Sequence, residues 1–180
     1  MTSAIEGLLI MKADYDVVVV GAGHAGIEAC LAASRLGQKT LQITTRIDRI
    51  GYMSCNPSIG GLAKGHMVRE LDVLGGEMGL AADETCIQFK RLNATRGPAV
   101  RGSRAQCDKE LYSSRMRKLL SGQKNLEIKE AEVKSLILRN GSCEGVLLGD
   151  GSKISARTVV LTTGTFMNGV MHVGHTQMAG

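Results

Sequence analysis

The sequence predicts an α/β protein built around a parallel sheet, and three consecutive segments support that prediction. Residues 17–20 form an unbroken β-branched run, which is typical of a strand buried on both faces of a parallel sheet. Residues 25–36 are rich in alanine, carry apolar side chains at helical spacing and end before Gly37, a common helix-terminating residue. Residues 39–44 predict a second strand. A strand–helix–strand order of this kind is typical of α/β folds.

The rest of the chain predicts a long insertion followed by a helix and several strands. Residues 46–105 intervene before the next helix and are rich in glycine, which indicates unusual backbone conformations. That helix is predicted at residues 105–120 and is closed by Gly122. Strands are predicted around residues 126–128, 133–138, 143–148 and 153–154, and a last strand at residues 157–162.

Three glycines directly after the first strand fit the pattern G-x-G-x-x-G at the start of a helix. Gly21 permits the tight turn, Gly23 lets a pyrophosphate approach the backbone, and Gly26 lets helix and strand pack closely. The helix N-terminus adds unpaired N–H groups and a partial positive charge. The alternative is a tight turn that binds no ligand. His24 is interpreted as a residue that only begins the helix. The predicted phosphate-binding residues are Gly21, Ala22, Gly23, His24, Ala25 and Gly26.

Composition and cysteine usage favour a reduced, globular, cytoplasmic protein. Hydrophobic residues make up 43% of the chain and charged residues 22%, which excludes a disordered segment. The five cysteines form no C-x-x-C pair and no zinc-ligand spacing, so neither a disulfide framework nor a metal site is expected. Glu6 and a short apolar run at the N-terminus argue against a signal peptide, and no segment is long enough to cross a membrane.

Positive charge is concentrated in one part of the chain. Nine Lys or Arg residues lie between positions 90 and 118, against only Asp108 and Glu110. A basic block of this kind either binds a polyanion or forms an ordinary solvated face. Few aromatic residues exist, so phosphate contact is favoured over base stacking. The candidate nucleic-acid contacts, expected in a loop, are Arg91, Arg96, Arg101 and Arg104.

The cofactor is indicated by the segment that follows the second strand, whereas the end of that strand favours neither cofactor class. The second strand ends in residues 43–45, Ile-Thr-Thr, where an acidic residue normally contacts the ribose, and the first acid is Asp48. A β-meander is predicted before a strand that ends in "TTG", including Thr163 and Gly164. This combination resembles the Rossmann-like FAD-binding domain of flavoproteins with two dinucleotide domains. We therefore expect FAD rather than NAD on the glycine motif.

Three further stretches resemble the MnmG (GidA) family of tRNA uridine 5-carboxymethylaminomethyl modification enzymes. They are "MSCNPSIGGLAKGHMVRELDVLGGEMG" at residues 53–79, "CIQFKRLNATRGPAVRGSRAQCDK" at residues 86–109 and "VVLTTGTFMNG" at residues 159–169. The resemblance covers residues 16–180, which we expect to form an FAD-binding domain. Residues 1–15 are expected to be an extension, of which the first ten are dispensable.

The resemblance implies a specific activity and set of partners. The family binds FAD and, with the GTPase MnmE, adds a carboxymethylaminomethyl or aminomethyl group to carbon 5 of the wobble uridine in tRNA. It implies methylenetetrahydrofolate as one-carbon donor and NADH as the reductant of the flavin, with the NADH site beyond this chain. A homodimer and a heterotetramer with MnmE are implied for the full-length family. Val133 matches the position whose backbone meets the adenine.

Cys55 is the candidate catalytic residue. A thiolate that adds to carbon 6 of uridine makes carbon 5 nucleophilic, and the resemblance marks this cysteine as functional. Lys64 or His66 is expected nearby to lower the pKa of the thiol. The alternative is a packed, inert thiol.

Two other functions stay open at this point. Because the family's proteins are longer, we expect this chain alone not to turn over, and it can instead be a non-catalytic FAD- or RNA-binding module. A third interpretation is the related folate- and FAD-dependent tRNA methyltransferase family, which the "SCNPSIGG" stretch disfavours.

Overall fold

A computed structural model describes residues 13–165, 167 and 169–179. Four α-helices and eleven strands lie within these residues. The helices are α1 His24–Arg35, α2 Lys64–Val73, α3 Met78–Thr85 and α4 Lys109–Ser121. The strands are β1 Tyr15–Val20, β2 Thr40–Thr44, β3 Ser58–Gly60, β4 Cys86–Leu92, β5 Gly102–Cys107, β6 Leu126–Glu130, β7 Val133–Arg139, β8 Ser142–Leu148, β9 Lys153–Leu161, β10 Val170–Val173 and β11 Thr176–Ala179.

The main sheet has six strands in the order β6-β2-β1-β9-β8-β7. The first four are mutually parallel, and β7, β8 and β9 form an antiparallel meander. On one face, Val19 joins α1 and α4 in a core that includes Leu31 and Met116. On the other, Val18 and Val20 pack with residues of β8 and β9. The predicted α/β class, parallel sheet and meander are confirmed.

A separate three-stranded sheet in the order β3-β5-β4 fills the long insertion together with α2 and α3. The expectation that no helix precedes residue 105 is wrong, because α2 and α3 both lie within the insertion. Residues 105–107 are also not helical, since they complete β5. Helix α4 begins after Asp108, whose carboxylate accepts the N–H groups of Glu110 and Leu111 at 3.0 Å each.

The C-terminal part differs from the prediction in two respects. Residues 153–161 form one continuous strand rather than two, because β9 pairs with β8 at its start and with β1 along the rest. The hairpin of β10 and β11 was not predicted. Of the predicted N-terminal extension, residues 1–15, the first twelve lie outside the described residues, and Tyr15 is the first residue of β1. Phe166 of the "TTG" segment also lies outside them.

Within the described ranges, no helix is long and apolar enough to cross a membrane. The same residues contain no group of three or more His, Cys, Asp or Glu side chains placed to hold a metal ion.

Candidate functional site

The turn between β1 and α1 requires glycine at two positions. Gly21 has a φ of +108°, and a Cβ there would lie 2.4 Å from the carbonyl oxygen of Thr162. A Cβ on Gly26 would lie 2.2 Å from the carbonyl oxygen of Gly21. Thr162 itself is fixed to β1, because its N–H donates to the carbonyl of Val20 at 2.9 Å. Both positions therefore hold strand, turn and helix in close contact, as the glycine pattern predicts.

Gly23 differs from these two glycines because space beside it is open. A Cβ on Gly23 would meet no atom within 4 Å, and the residue is exposed at the N-cap of α1. No side chain caps this helix end, and no acidic residue lies in its first turn. Among the described residues, no side chain therefore pairs with the first N–H groups of α1, which leaves them available to bind a phosphate. A cradle of this shape fits the pyrophosphate of a dinucleotide such as FAD.

Gln42 is a buried polar residue at the cradle that the sequence analysis did not select. Its side chain is fully buried on β2, and its amide nitrogen donates to the carbonyl oxygen of Gly21 at 3.2 Å. The Gln42 carbonyl oxygen Oε1 has no hydrogen-bond partner among the described residues. The sequence could have indicated this residue, because a polar side chain in the middle of a buried strand normally has a hydrogen-bond partner. Its amide orients the first glycine of the turn.

His24 begins α1 as predicted and also contacts α4. Its Nδ1 lies 3.4 Å from the hydroxyl of Tyr112, a fully buried residue of α4, and the rings meet edge to face. Burial, with a smaller effect of the Lys64 charge, lowers the pKa of His24 to about 4. The imidazole is therefore neutral near pH 7. Burial likewise raises the pKa of Tyr112, so its hydroxyl keeps its proton.

The end of β2 lacks an acid of its own, but a carboxylate comes from the neighbouring strand. Glu130 at the end of β6 is in register with Thr44, and it accepts the N–H of Ile47 at 2.8 Å. Asp48, the first acid after β2, is held by the guanidinium of Arg46 instead. The acidic residue near this strand end is therefore supplied by a strand that lies far along the chain, which a local pattern does not reveal.

The other predicted cofactor residues lie in segments around the same sheet. Thr163 and Gly164 follow β9, which is parallel to β1, so they lie at the same carboxyl edge as the glycine turn. Gly164 has a φ of +63°. Val133 begins β7, is half-buried and packs against the core cluster that contains Val18. The segment just before it reaches the end of β2, because the N–H of Ala131 donates to Thr44 at 2.9 Å.

Cys55 is exposed in the bend that leads into β3. Lys64 is half-buried at the start of α2, where its ammonium lies 3.4 Å from the carbonyl oxygen of Ser58, and burial lowers its pKa. His66 is exposed two positions further along the same helix. Among the described residues, neither side chain forms a hydrogen bond with the Cys55 sulfur, so their expected role in activating the thiol stays a prediction.

The remaining cysteines have different surroundings. Cys30 is buried in α1, and burial raises its pKa to about 12. Cys107 is also buried, and its pKa is raised mainly by burial. Cys86 and Cys143 are partly exposed. Cys55 is the one cysteine of the described residues that is classed as exposed, which suits it best for a reaction with a large substrate.

The four candidate arginines do not share one loop as predicted. Arg91 lies on β4 and Arg104 on β5, because the chain here pairs as a hairpin rather than staying irregular. Arg96 and Arg101 lie in the connection between these strands, and Arg101 Nε donates to the carbonyl of Arg96 at 2.7 Å. None of the four has a carboxylate within 4.0 Å among the described residues, in contrast to Arg115, which pairs with Glu77 and Glu84.

Comparison with known proteins identifies a consistent set of relatives. The model of the family described as glucose inhibited division protein A matches residues 16–180. The tRNA uridine 5-carboxymethylaminomethyl modification enzyme MnmG of Bdellovibrio bacteriovorus is 68% identical over 166 residues, which are 92% of this chain and 26% of the relative. The enzyme of the same name from Desulfotalea psychrophila is 52% identical over 175 residues, covering 97% of this chain and 27% of the relative. The chain thus spans about a quarter of their length.

Solved structures agree with the architecture. Aquifex aeolicus GidA superposes with a TM-score of 0.85 at 52% identity, over 91% of this chain and 27% of that one. A GidA-related protein from Thermus thermophilus gives a TM-score of 0.64 at 20% identity, over 92% of this chain and 60% of that one. The second match supports the fold alone.

Proposed function

Because the chain belongs to the glucose inhibited division protein A family, we propose that it is the FAD-binding portion of an enzyme that modifies uridine in tRNA. The reaction adds a carboxymethylaminomethyl or aminomethyl group to carbon 5 of the wobble uridine. The observation that carries this proposal is the presence, in one chain, of an open dinucleotide cradle at Gly23 and an exposed cysteine, Cys55, in the stretch typical of the family.

FAD would be held mainly through backbone groups. The N–H groups of residues 23–26 would bind its pyrophosphate, Thr163 and Gly164 would approach it from β9, and the backbone of Val133 would meet the adenine. When bound, the flavin supplies the redox chemistry, for which NADH is the proposed reductant and methylenetetrahydrofolate the proposed one-carbon donor. Neutral His24 adds no positive charge beside the phosphates, so the helix N-terminus carries that role.

Cys55 would act on the uracil ring. Its thiolate adds to carbon 6, the electron pair of the C5–C6 double bond moves toward the C4 carbonyl, and carbon 5 becomes nucleophilic. Carbon 5 then attacks the one-carbon unit, and the bond between that carbon and the folate nitrogen is replaced by a bond to the amine of glycine or ammonium. Loss of the carbon 5 proton and departure of the thiolate restore the ring. An exposed thiol suits this role because the target base must be brought to it from a folded RNA.

The tRNA would be held by phosphate contacts from the basic residues of the β4–β5 hairpin. Arg91, Arg96, Arg101 and Arg104 have no neutralising carboxylate among the described residues, so their charges are available to a polyanion. A homodimer and the GTPase MnmE as partner belong to the same proposal and rest on the family, and a cytoplasmic location rests on the cysteine usage.

A segment exchange tests this function with an activity measurement. Residues 16–180 of this chain replace the matching segment of the Bdellovibrio bacteriovorus relative, in cells that lack their own enzyme. We expect the modified wobble nucleoside to be restored, as measured by mass spectrometry of digested tRNA. The same exchange carrying Gly23→Asp places a carboxylate against the pyrophosphate and is expected to lose both bound flavin and modification.

The outcomes separate the alternatives. Flavin and RNA binding without restored modification would contradict the enzyme and favour a binding module. A methylated uridine in place of the carboxymethylaminomethyl product would favour the folate- and FAD-dependent methyltransferase function. Retention of flavin by the Gly23→Asp protein would overturn the assignment of the cradle.

A further inference from the structure

The three-stranded sheet of the insertion has one buried and one polar face. Strand alternation sends Ile59, Ala105 and Cys107 to the buried face, where they join the core under α2 and α3. The opposite face, here called the outer face, carries polar side chains around the sheet centre, and Leu92 lies at one end of it, opposite Gly102. Its polar residues are Ser58 on β3, Gln88 and Lys90 on β4, and Arg104 and Gln106 on β5.

Strand register arranges these side chains in two rows. Gln106 lies opposite Ser58 on one side and Gln88 on the other. Arg104 lies opposite Gly60 on one side and Lys90 on the other. One row therefore offers amides and a hydroxyl, and the adjacent row offers two cations next to a glycine that has no side chain to cover them.

The cationic row is not neutralised by the protein. Residues directly opposite on antiparallel strands have Cβ atoms about 5 Å apart, and like charges at that separation destabilise the pair. Within the described part of the chain, neither Lys90 nor Arg104 has a carboxylate within 4.0 Å, whereas Arg115 of α4 is paired with two glutamates. Two adjacent, uncompensated cations favour an anionic ligand between them.

We propose that the outer face binds the RNA strand next to the target uridine, with one backbone phosphate at Lys90, the adjacent phosphate at Arg104, and the neighbouring nucleotide on Gln88 and Gln106. This inference rests on the proposed function. RNA is favoured over the dinucleotide because the latter already has its own phosphate cradle at Gly23, whereas Ser58 of this face follows Cys55 by only three positions. Amide side chains suit the exposed base edges and 2′-hydroxyls of single-stranded RNA.

The inference divides the basic block by strand geometry. Arg91 is in register with Ser103, whose hydroxyl lies 3.4 Å from Arg69 Nη2, and this pair belongs to the other side of the sheet from Lys90 and Arg104. The inference adds three substrate contacts, Lys90, Gln88 and Gln106, which the distribution of charge along the sequence does not identify.

The test measures the salt dependence of RNA binding by the purified chain. The double variant Lys90→Gln/Arg104→Gln is compared with Lys134→Gln/Lys153→Gln, which removes the same charge from exposed strand positions on β7 and β9. The probe is a short RNA stem-loop with a uridine in its loop, and fluorescence anisotropy measures its binding. Two lost phosphate contacts should reduce the slope of log Kd against log salt concentration by about 1.4. When the salt concentration rises fourfold, the factor by which Kd increases should therefore be about seven times smaller for the double variant than for the wild-type chain.

Each outcome decides the matter. A normal slope in the control together with the reduced slope in the double variant supports the inference. Equal slopes in both double variants, with RNA bound by the wild-type chain, overturn it and leave the proposed function intact. Failure of the wild-type chain to bind the RNA also overturns the inference, whereas the proposed function is decided by the segment exchange. Loss of flavin by a normally folded Lys90→Gln/Arg104→Gln protein would assign the face to the dinucleotide instead.

A single substitution keeps the inference testable if the double variant misfolds. Lys90 is exposed on the edge strand β4, so Lys90→Gln removes one contact without disturbing the core. Its slope should fall by about 0.7, and Arg104→Lys, which keeps the charge, should keep the slope of the wild-type chain. A wild-type slope for Lys90→Gln would contradict the inference even if the double variant did not fold.

Discussion

The Glu28 carboxylate accepts the backbone N–H of Met78 at 2.7 Å and so joins the dinucleotide helix α1 to the first turn of α3 in the insertion. The N–H of Glu77 donates to the same carboxylate at 3.0 Å. The side chain of Glu77 in turn pairs with Arg35 of α1 and Arg115 of α4. The Glu28 carboxylate, which lies at the N-terminus of α3, thus fixes the insertion against α1. Its negative charge is also favourable beside the partial positive charge of that helix end.

Replacing Glu28 should loosen the insertion. Glu28→Ala leaves the N–H groups of Glu77 and Met78 without their acceptor, so we expect the free energy of unfolding to fall by about 1–3 kcal/mol. Urea unfolding followed by circular dichroism measures the change. Glu144→Ala is the control, because Glu144 makes only a surface ion pair with Arg139, at 3.5 Å, and should lose less than about 1 kcal/mol. Equal losses in the two variants would contradict the role of Glu28.

Two alanine substitutions in the same motif should affect different properties, flavin affinity in one case and stability in the other. Gly23→Ala meets no atom within 4 Å, so the fold should keep its melting temperature while flavin affinity falls, because the methyl group occupies the space of the ligand. Gly26→Ala would place a methyl group 2.2 Å from the carbonyl oxygen of Gly21 and should destabilise the fold by about 1–3 kcal/mol or more. Differential scanning fluorimetry and flavin absorbance distinguish them. Unchanged flavin affinity in Gly23→Ala would show that no ligand approaches this backbone.

The buried imidazole of His24 should make stability depend on pH. Its pKa is lowered from 6.5 to about 4, so between these values the unfolded chain binds a proton that the folded chain does not. Stability should therefore fall as the pH falls from 6.5 to about 4 and level off below, by about 3 kcal/mol in total from this group. His24→Asn should remove that part of the pH dependence.

The measurement is the free energy of unfolding at several pH values between 4 and 7 for both proteins. Carboxyl groups with lowered pKa values, such as Asp14 and Glu84, contribute stability that is lost at lower pH, below their ordinary values of 3.8 and 4.5. The difference between wild type and His24→Asn isolates the imidazole. Parallel curves for the two proteins would show that His24 titrates normally in the fold.

Local patterns predicted β1, the glycine turn and α1, because each depends on residues close in sequence. They missed α2, which has no buried residue and no side-chain cap, so neither apolar spacing nor a capping residue marks it. Contacts such as Tyr112 with His24, and Met78 with Glu28, join residues far apart in the chain and follow only from the fold. The positions of Arg91 and Arg104 depended on strand pairing, which charge spacing does not predict.

The exposed thiol of Cys55 should be needed for modification of uridine but not for binding of flavin or RNA. In the exchanged enzyme, Cys55→Ser should keep flavin and RNA binding but lose the modified nucleoside, because serine has a similar size and is a far weaker nucleophile near neutral pH. Cys143→Ser, a partly exposed cysteine on β8, is the matched control and should keep normal modification. Nucleoside mass spectrometry is compared with flavin occupancy of the purified proteins. Normal modification in Cys55→Ser would remove this residue from the mechanism, whereas joint loss of flavin and modification would favour the alternative of a structural cysteine.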